Sequence, residues 1–114
     1  SPQMNLFKCK IDNGIAKIGE NQINLNNSIN IEDSSIGIRP DDMVVSENGM
    51  YNCKANLVEY LGSDMIIYSS MEDQEFSLKL SSKIDLKAGD NFKFDINPSH
   101  VHIFDNATGQ RVTS

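Results

Sequence analysis

Apolar and polar side chains alternate through most of this chain, and no window holds the i, i+3, i+4, i+7 stripe of a long amphipathic helix. The pattern predicts strands almost throughout. Phe7, Cys9 and Ile11 form one inward face, Asp12-Asn13-Gly14 is a turn signal, and Ile15-Ala16-Lys17-Ile18 runs back as the partner strand. A turn at Gly19-Glu20-Asn21 leads into Gln22-Ile23-Asn24-Leu25. An Asn/Ser-rich connection then reaches the strand Ser35-Ile36-Gly37-Ile38-Arg39, which Pro40 ends because it lacks a backbone donor and restricts its predecessor.

From Tyr51 the alternation sharpens through Cys53, Ala55 and Leu57, and Leu61-Gly62-Ser63-Asp64 turns it back into Met65–Ser69 as a second hairpin. Glu72-Asp73-Gln74 turns into a strand whose inward face is Phe76, Leu78 and Leu80. Lys87–Asp90 introduces Phe92–Ile96, and Asn97-Pro98-Ser99 breaks before a strand over Val101–Phe104, a tight turn and a returning strand. The total is about eight short strands at the spacing of a small barrel or sandwich, mostly antiparallel.

With 114 residues the chain has room for one hydrophobic core and is read as a single domain, 1–114. Its longest apolar run, Met65-Ile66-Ile67-Tyr68, falls far short of the roughly 20 residues of a membrane-crossing helix. The opening Ser1-Pro2-Gln3-Met4 has neither an initiator Met nor a signal-peptide pattern, so a piece of a longer protein is expected. Sixteen acidic against ten basic side chains leave a net charge of −6, the wrong sign for collecting phosphate backbones, and nucleic acid is not expected as a partner. Cys9 and Cys53 read as two free core thiols.

Gly14-Ile15-Ala16-Lys17-Ile18-Gly19 has P-loop glycine spacing, but Glu20-Asn21 stands where Lys and Ser/Thr are required, and no helix follows. His100-Val101-His102 would set two imidazoles on one strand face, as cupin-type metalloenzymes do. These are the only two histidines, so the alternative is one in the turn after Pro98 and one half-buried in a strand. The acidic residues Glu72, Asp73 and Glu75, and Asp41-Asp42, fall at exposed turns, where neither burial nor crowding would split their pKa values for acid–base work. No catalytic, metal or cofactor residue is assigned.

Four segments, in order along the chain, resemble one family. Ser1–Leu6 is similar to the junction after the nucleotide-binding domain in ATPase subunits of sugar and glycerol-phosphate importers. Ile36-Gly37-Ile38-Arg39-Pro40-Asp41-Asp42 looks like the family's signature strand and turn, with Asp41 where Glu is usual. Val58–Asp64, with Gly62, is similar to its glutamate, leucine and glycine turn, and Ile103-Phe104-Asp105 with Thr108-Gly109 resembles its last hairpin. The chain thus resembles the C-terminal regulatory domain (TOBE type) of the ATP-hydrolysing subunit of carbohydrate-type ABC importers.

The resemblance implies an all-β, OB-like fold and a non-catalytic regulatory and dimerisation role, with an ATPase domain elsewhere in the subunit. It implies a second copy as partner, permease subunits engaged indirectly, a possible regulatory protein, and a cytoplasmic place at the inner membrane face. Structural roles follow for Gly37, Ile38, Arg39, Pro40, Asp41, Gly62, Phe104, Asp105 and Gly109, with Arg39 forking onto a carboxylate to fix its strand end. No nest of basic residues is evident. The alternatives are a free-standing OB-type module binding oligosaccharide or oligonucleotide, and a cupin-like metalloenzyme.

Overall fold

A computed structural model describes residues 3–112. They form β1 (Asn5–Asp12), β2 (Ile15–Ile18), β3 (Asn21–Asn24), β4 (Ile31–Ile38), β5 (Met43–Val45), β6 (Tyr51–Lys54), β7 (Leu57–Leu61), β8 (Asp64–Met71), β9 (Gln74–Leu80), β10 (Asn91–Ile96), β11 (His102–Asp105) and β12 (Gln110–Val112). Two 3-10 turns, Pro40–Asp42 and Pro98–His100, precede β5 and β11. The described strands make a six-stranded sheet in the order β12-β11-β4-β1-β2-β3 and two three-stranded sheets, β5-β10-β6 and β7-β8-β9. Every pairing is antiparallel. The all-β class stands as expected.

The expected hairpins form where the turn chemistry placed them. Asn13 and Gly14 have φ of 48° and 76°, the left-handed pair of a tight turn, and Lys10 pairs with Lys17 across it. Gly14 also lies against the Asn27 backbone carbonyl, where a side chain would collide. Its neighbour Gly19 opens the next turn, so the P-loop-like spacing encloses strand β2.

Two boundaries differ from the sequence pattern. The strand containing Gly37 starts at Ile31 and reaches back into the Asn/Ser-rich connection, because Cys9, Lys8 and Phe7 continue the ladder with Ser34, Ser35 and Ile36. The alternation from Tyr51 to Leu57 is two strands in different sheets. Ala55, fully buried, donates its N–H to Asp90 O (2.8 Å) and accepts from Gly89 N (2.7 Å), while Asn56 N–H turns to Tyr68 O (2.8 Å). The chain changes sheets there, so one alternating run becomes β6 and β7. With the unexpected β5, such divisions raise the strand number above eight.

The core lies where the three sheets converge. Phe7 of β1 packs on Phe76 of β9 (centroids 5.4 Å apart), and Phe76 packs on Phe94 of β10 (5.6 Å), one ring from each sheet. Around them Ile11, Ile18, Ile23, Ile36, Ile38, Met65, Ile67 and Leu78 are buried. No described helix is long and apolar enough to cross a membrane.

Side-chain amides join the six-stranded sheet to β9. Asn5 Nδ2 donates to Ser77 O (2.8 Å), and Asn5 Oδ1 accepts from Ser77 N (2.9 Å). One turn of the pleat away, Lys8 N donates to Gln74 Oε1 (2.7 Å), and Gln74 Nε2 donates to Lys8 O (3.0 Å). Each carboxamide copies the paired donor and acceptor of a backbone ladder across a gap too wide for the backbones themselves. Asn5 is buried, so Asn5→Ala leaves two half-buried backbone groups of Ser77 without their partners and is expected to cost about 1–3 kcal/mol. Gln74→Ala, nearer solvent, is expected to cost only about 0.5–1 kcal/mol. Urea unfolding of the two variants at equal slope checks the ranking, and equal midpoints would contradict it.

Candidate functional site

Two of the four segments that carry the resemblance meet in the six-stranded sheet. β11 lies beside β4 with His102 opposite Gly37 and Phe104 opposite Ser35. Ile36 and Ile38 point into the core, so Gly37 faces outward, yet it is buried under neighbouring side chains. A Cβ at Gly37 would run into Met4 Sδ and come within 3.1 Å of Phe104 Cε2. Glycine is favoured here by this close approach and not by backbone strain, since Gly37 is not among the residues with positive φ.

The strand ends as its residues demand. Arg39 keeps an extended conformation ahead of the buried Pro40, and Asp42 N–H closes the 3-10 turn on Arg39 O at 2.9 Å. Asp41 is exposed. Among the described residues no carboxylate stands within ion-pair distance of Arg39, so the ring of Pro40 and this backbone bond hold the strand end, rather than an arginine fork. The carboxylate of Asp42 instead meets His100 Nδ1 at 3.4 Å, tying the two 3-10 turns together.

His100 stands in the turn after Pro98 and His102 in β11, half-buried, so the bland expectation for these imidazoles describes them. No group of three or more His, Cys, Asp and Glu suited to a metal exists among the described residues. Burial pushes the His102 imidazole below its ordinary 6.5, and the Arg111 and Arg39 charges and His100 push the same way against Asp42. Cys9 and Cys53 are half-buried free thiols on different sheets, both raised by burial, which favours the thiol over the thiolate.

The last hairpin turns at Gly109, with φ of 72°, whose N–H bonds to Asp105 O (2.7 Å), and Asp105 Oδ1 accepts from Ala107 N (2.9 Å). Asn106 anchors this turn to β4. Its N–H and Nδ2 donate to Asp33 O and Oδ1 (both 3.0 Å), and its Oδ1 accepts from Ser35 Oγ (3.0 Å). Sequence reasoning passed over Asn106 because its partners are more than 70 positions away. Gly62, with φ of 61°, serves the β7–β8 turn in another sheet and does not join the cluster. Ser1 and Pro2, part of the expected junction, lie outside the described residues.

Apolar side chains stay exposed at the free edge of β7 and the start of β1: Leu57 at 53%, Leu61 at 54%, and Leu6 at 57%. Leu6, Leu57, Tyr68 and Phe76 line a 640 Å³ groove between these strands. Lys83 Nζ lies 5.4 Å over the Tyr60 ring on the same edge strand.

Residues 36–104 match the family described as TOBE domain. Three curated relatives, each 30% identical, align over 98% of this chain. An oligosaccharides import ATP-binding protein of Bacillus subtilis is covered over 35% of its length and an sn-glycerol-3-phosphate import ATP-binding protein of Agrobacterium fabrum over 32%. A putative ABC transporter ATP-binding protein of Mycoplasma genitalium is covered over 20%. The chain therefore spans about a third or less of the curated relatives it matches.

Two measurements check this geometry. Gly37→Val is expected to cost about 1–3 kcal/mol by overpacking against Phe104, with part recovered when Met4→Ala removes the second obstacle. Because His102 titrates below 6.5 in the fold, the unfolded chain takes up its proton first as pH falls. The contribution of His102 to stability is therefore present above the ordinary imidazole value and is lost as pH falls below it. Thermal midpoints between neutral pH and the onset of carboxylate titration are expected to fall in the native chain and to flatten in His102→Gln.

Proposed function

The chain belongs to the TOBE domain family, and from that membership we propose that it is the regulatory and dimerisation domain of the ATP-hydrolysing subunit of an ABC importer for sugars or sugar phosphates. The carrying observation is alignment over 98% of the chain with proteins named as oligosaccharide and sn-glycerol-3-phosphate import ATP-binding proteins. Residues 1–114 form one module of such a subunit, and ATP hydrolysis belongs to the part of those relatives beyond the match. In that setting the module works at the cytoplasmic face with a second copy of itself, permease subunits, and a regulatory protein where one exists.

The motif residues are scaffold in this reading. Gly37 admits Met4 and Phe104, Pro40 stops β4, and Gly62 and Gly109 set two turns. The exposed edge strand β7, with Leu57 and Leu61, supports self-association. Its unpaired backbone groups and apolar side chains are those an isologous contact would cover. An interface near the low end of about 1,200 Å² holds weakly when the rest of the subunit is absent.

Concentration-dependent dimerisation is the expected result of sedimentation equilibrium over a wide loading range. Leu57→Asp, an exposed substitution that should change folding stability by under about 0.5 kcal/mol, is expected to weaken that association at least tenfold. A strictly monomeric chain at the highest loading, in low and high salt alike, would remove self-association from this reading.

A further inference from the structure

A second groove, of 320 Å³, opens where β3 of the six-stranded sheet faces β6 and β10. Its size is at the lower end of the roughly 300–1,000 Å³ typical of small-molecule sites. From β3 and the residues after it come three carboxamides, Gln22, Asn24 and Asn26, and from β6 and β10 come the phenol of Tyr51 and the carboxylate of Asp95. No Lys or Arg lines it.

Two of these polar groups are already oriented, each with one atom to spare. Asn24 Oδ1 accepts the Asn26 N–H at 2.9 Å, which leaves its Nδ2 as a free donor. Asp95 Oδ1 accepts the Met50 N–H at 2.9 Å, which leaves Oδ2 as a free acceptor. Tyr51 O–H reaches only the backbone carbonyl of Gln22, at 3.4 Å, and burial with the Asp95 charge pushes the phenol up, so it keeps its proton. Its ring stands tilted on Phe94, 5.6 Å between centroids, which holds the aromatic body in place.

Mixed donors and acceptors on facing walls, beside an aromatic ring and the apolar Ile96, suit a ligand whose carbons carry neighbouring hydroxyls. Each hydroxyl gives one hydrogen bond and accepts others, which is what a carboxamide and a carboxylate atom offer in return. The unpaired carboxylate oxygen, with no cation near it in the lining, repels phosphates and carboxylates. We propose that this groove is a binding site for a neutral polyhydroxy compound, a sugar or sugar alcohol, held by Gln22, Asn24, Tyr51 and Asp95. The inference stands on the groove's own side chains and needs neither self-association nor the transporter reading, so each can fail without the other.

The test is a titration of the isotope-labelled chain, following backbone amide shifts, with maltose, glucose and glycerol as neutral probes and glycerol 3-phosphate as the charged one. At least one neutral probe is expected to give saturable shifts concentrated at Asn24, Asn26, Met50 and Tyr51, with glycerol 3-phosphate binding at least tenfold more weakly. Gln22→Ala removes an exposed side chain, and Asp95→Asn keeps the acceptor for Met50 while converting the free oxygen into a donor. Each is expected to weaken binding at least fivefold with the fold intact. Absence of saturation by every neutral probe overturns the site. So do shifts centred elsewhere, unchanged affinity in both variants, or a charged probe binding as tightly as the neutral ones.

Discussion

Three separate sheets must be held together although their backbones do not pair, and two carboxamides do much of this. Asn5 and Gln74 each present a donor and an acceptor to the opposite strand, so β1 and β9 are bonded side chain to backbone at Ser77 and Lys8. A carboxamide carries its donor and its acceptor on separate atoms arranged as in a peptide group, so one uncharged side chain answers an N–H and a C=O of the same residue, which is why a buried Asn costs less here than an apolar residue would. Asn5 Nδ2 also lies 3.3 Å from Met43 Sδ, carrying the contact toward β5. On the other side Ser69 Oγ donates to Lys54 O at 2.7 Å, joining β8 to β6. The aromatic chain Phe7–Phe76–Phe94 packs one ring from each of the three sheets so linked.

The same approach explains the family motif in physical terms. With β4 in the middle of the six-stranded sheet, its inward Ile36 and Ile38 fill the core while its outward side must accept Met4 and Phe104 from the flanking chain. A residue without Cβ admits both with no displacement of either, and the proline after Arg39 turns the chain away before the strand can continue. Asn106 then binds the final hairpin to Asp33 and Ser35, so the segment most distant in sequence becomes part of the same wall. These are structural duties, and they leave the polar grooves and the free edge of β7 as the surfaces available for recognition.

The two grooves differ in what they could hold. The one beside β7 is bordered by exposed leucines and an unpaired strand edge, features that favour a protein surface. The one beside β3 has pre-oriented amide and carboxylate groups and no cation, features that favour a small neutral polar molecule. Both grooves border the six-stranded sheet, the first at β1 against the β7-β8-β9 sheet and the second at β3 against β6 and β10, so they open at different strands of it.

Alternation and turn residues by themselves determined the all-β class, the hairpins at Asn13-Gly14, Gly62-Ser63 and Glu72-Asp73, and the inward faces of β1, β9 and β10, because these depend on neighbours two to ten positions apart. The ordered motifs also carried the family, since they record local backbone requirements. Only the tertiary structure decided that Tyr51–Leu57 is divided at Ala55, that Arg39 stands without a described carboxylate partner, and that Asn5, Gln74 and Asn106 tie distant strands together. It alone brought Asn24 and Asp95 to facing walls of one groove. The bonds that divide Tyr51–Leu57 span 12 to 35 positions and the ties of Asn5, Gln74 and Asn106 span 66 to 73, and a polar side chain carries no mark in the sequence of which distant backbone group will complete it.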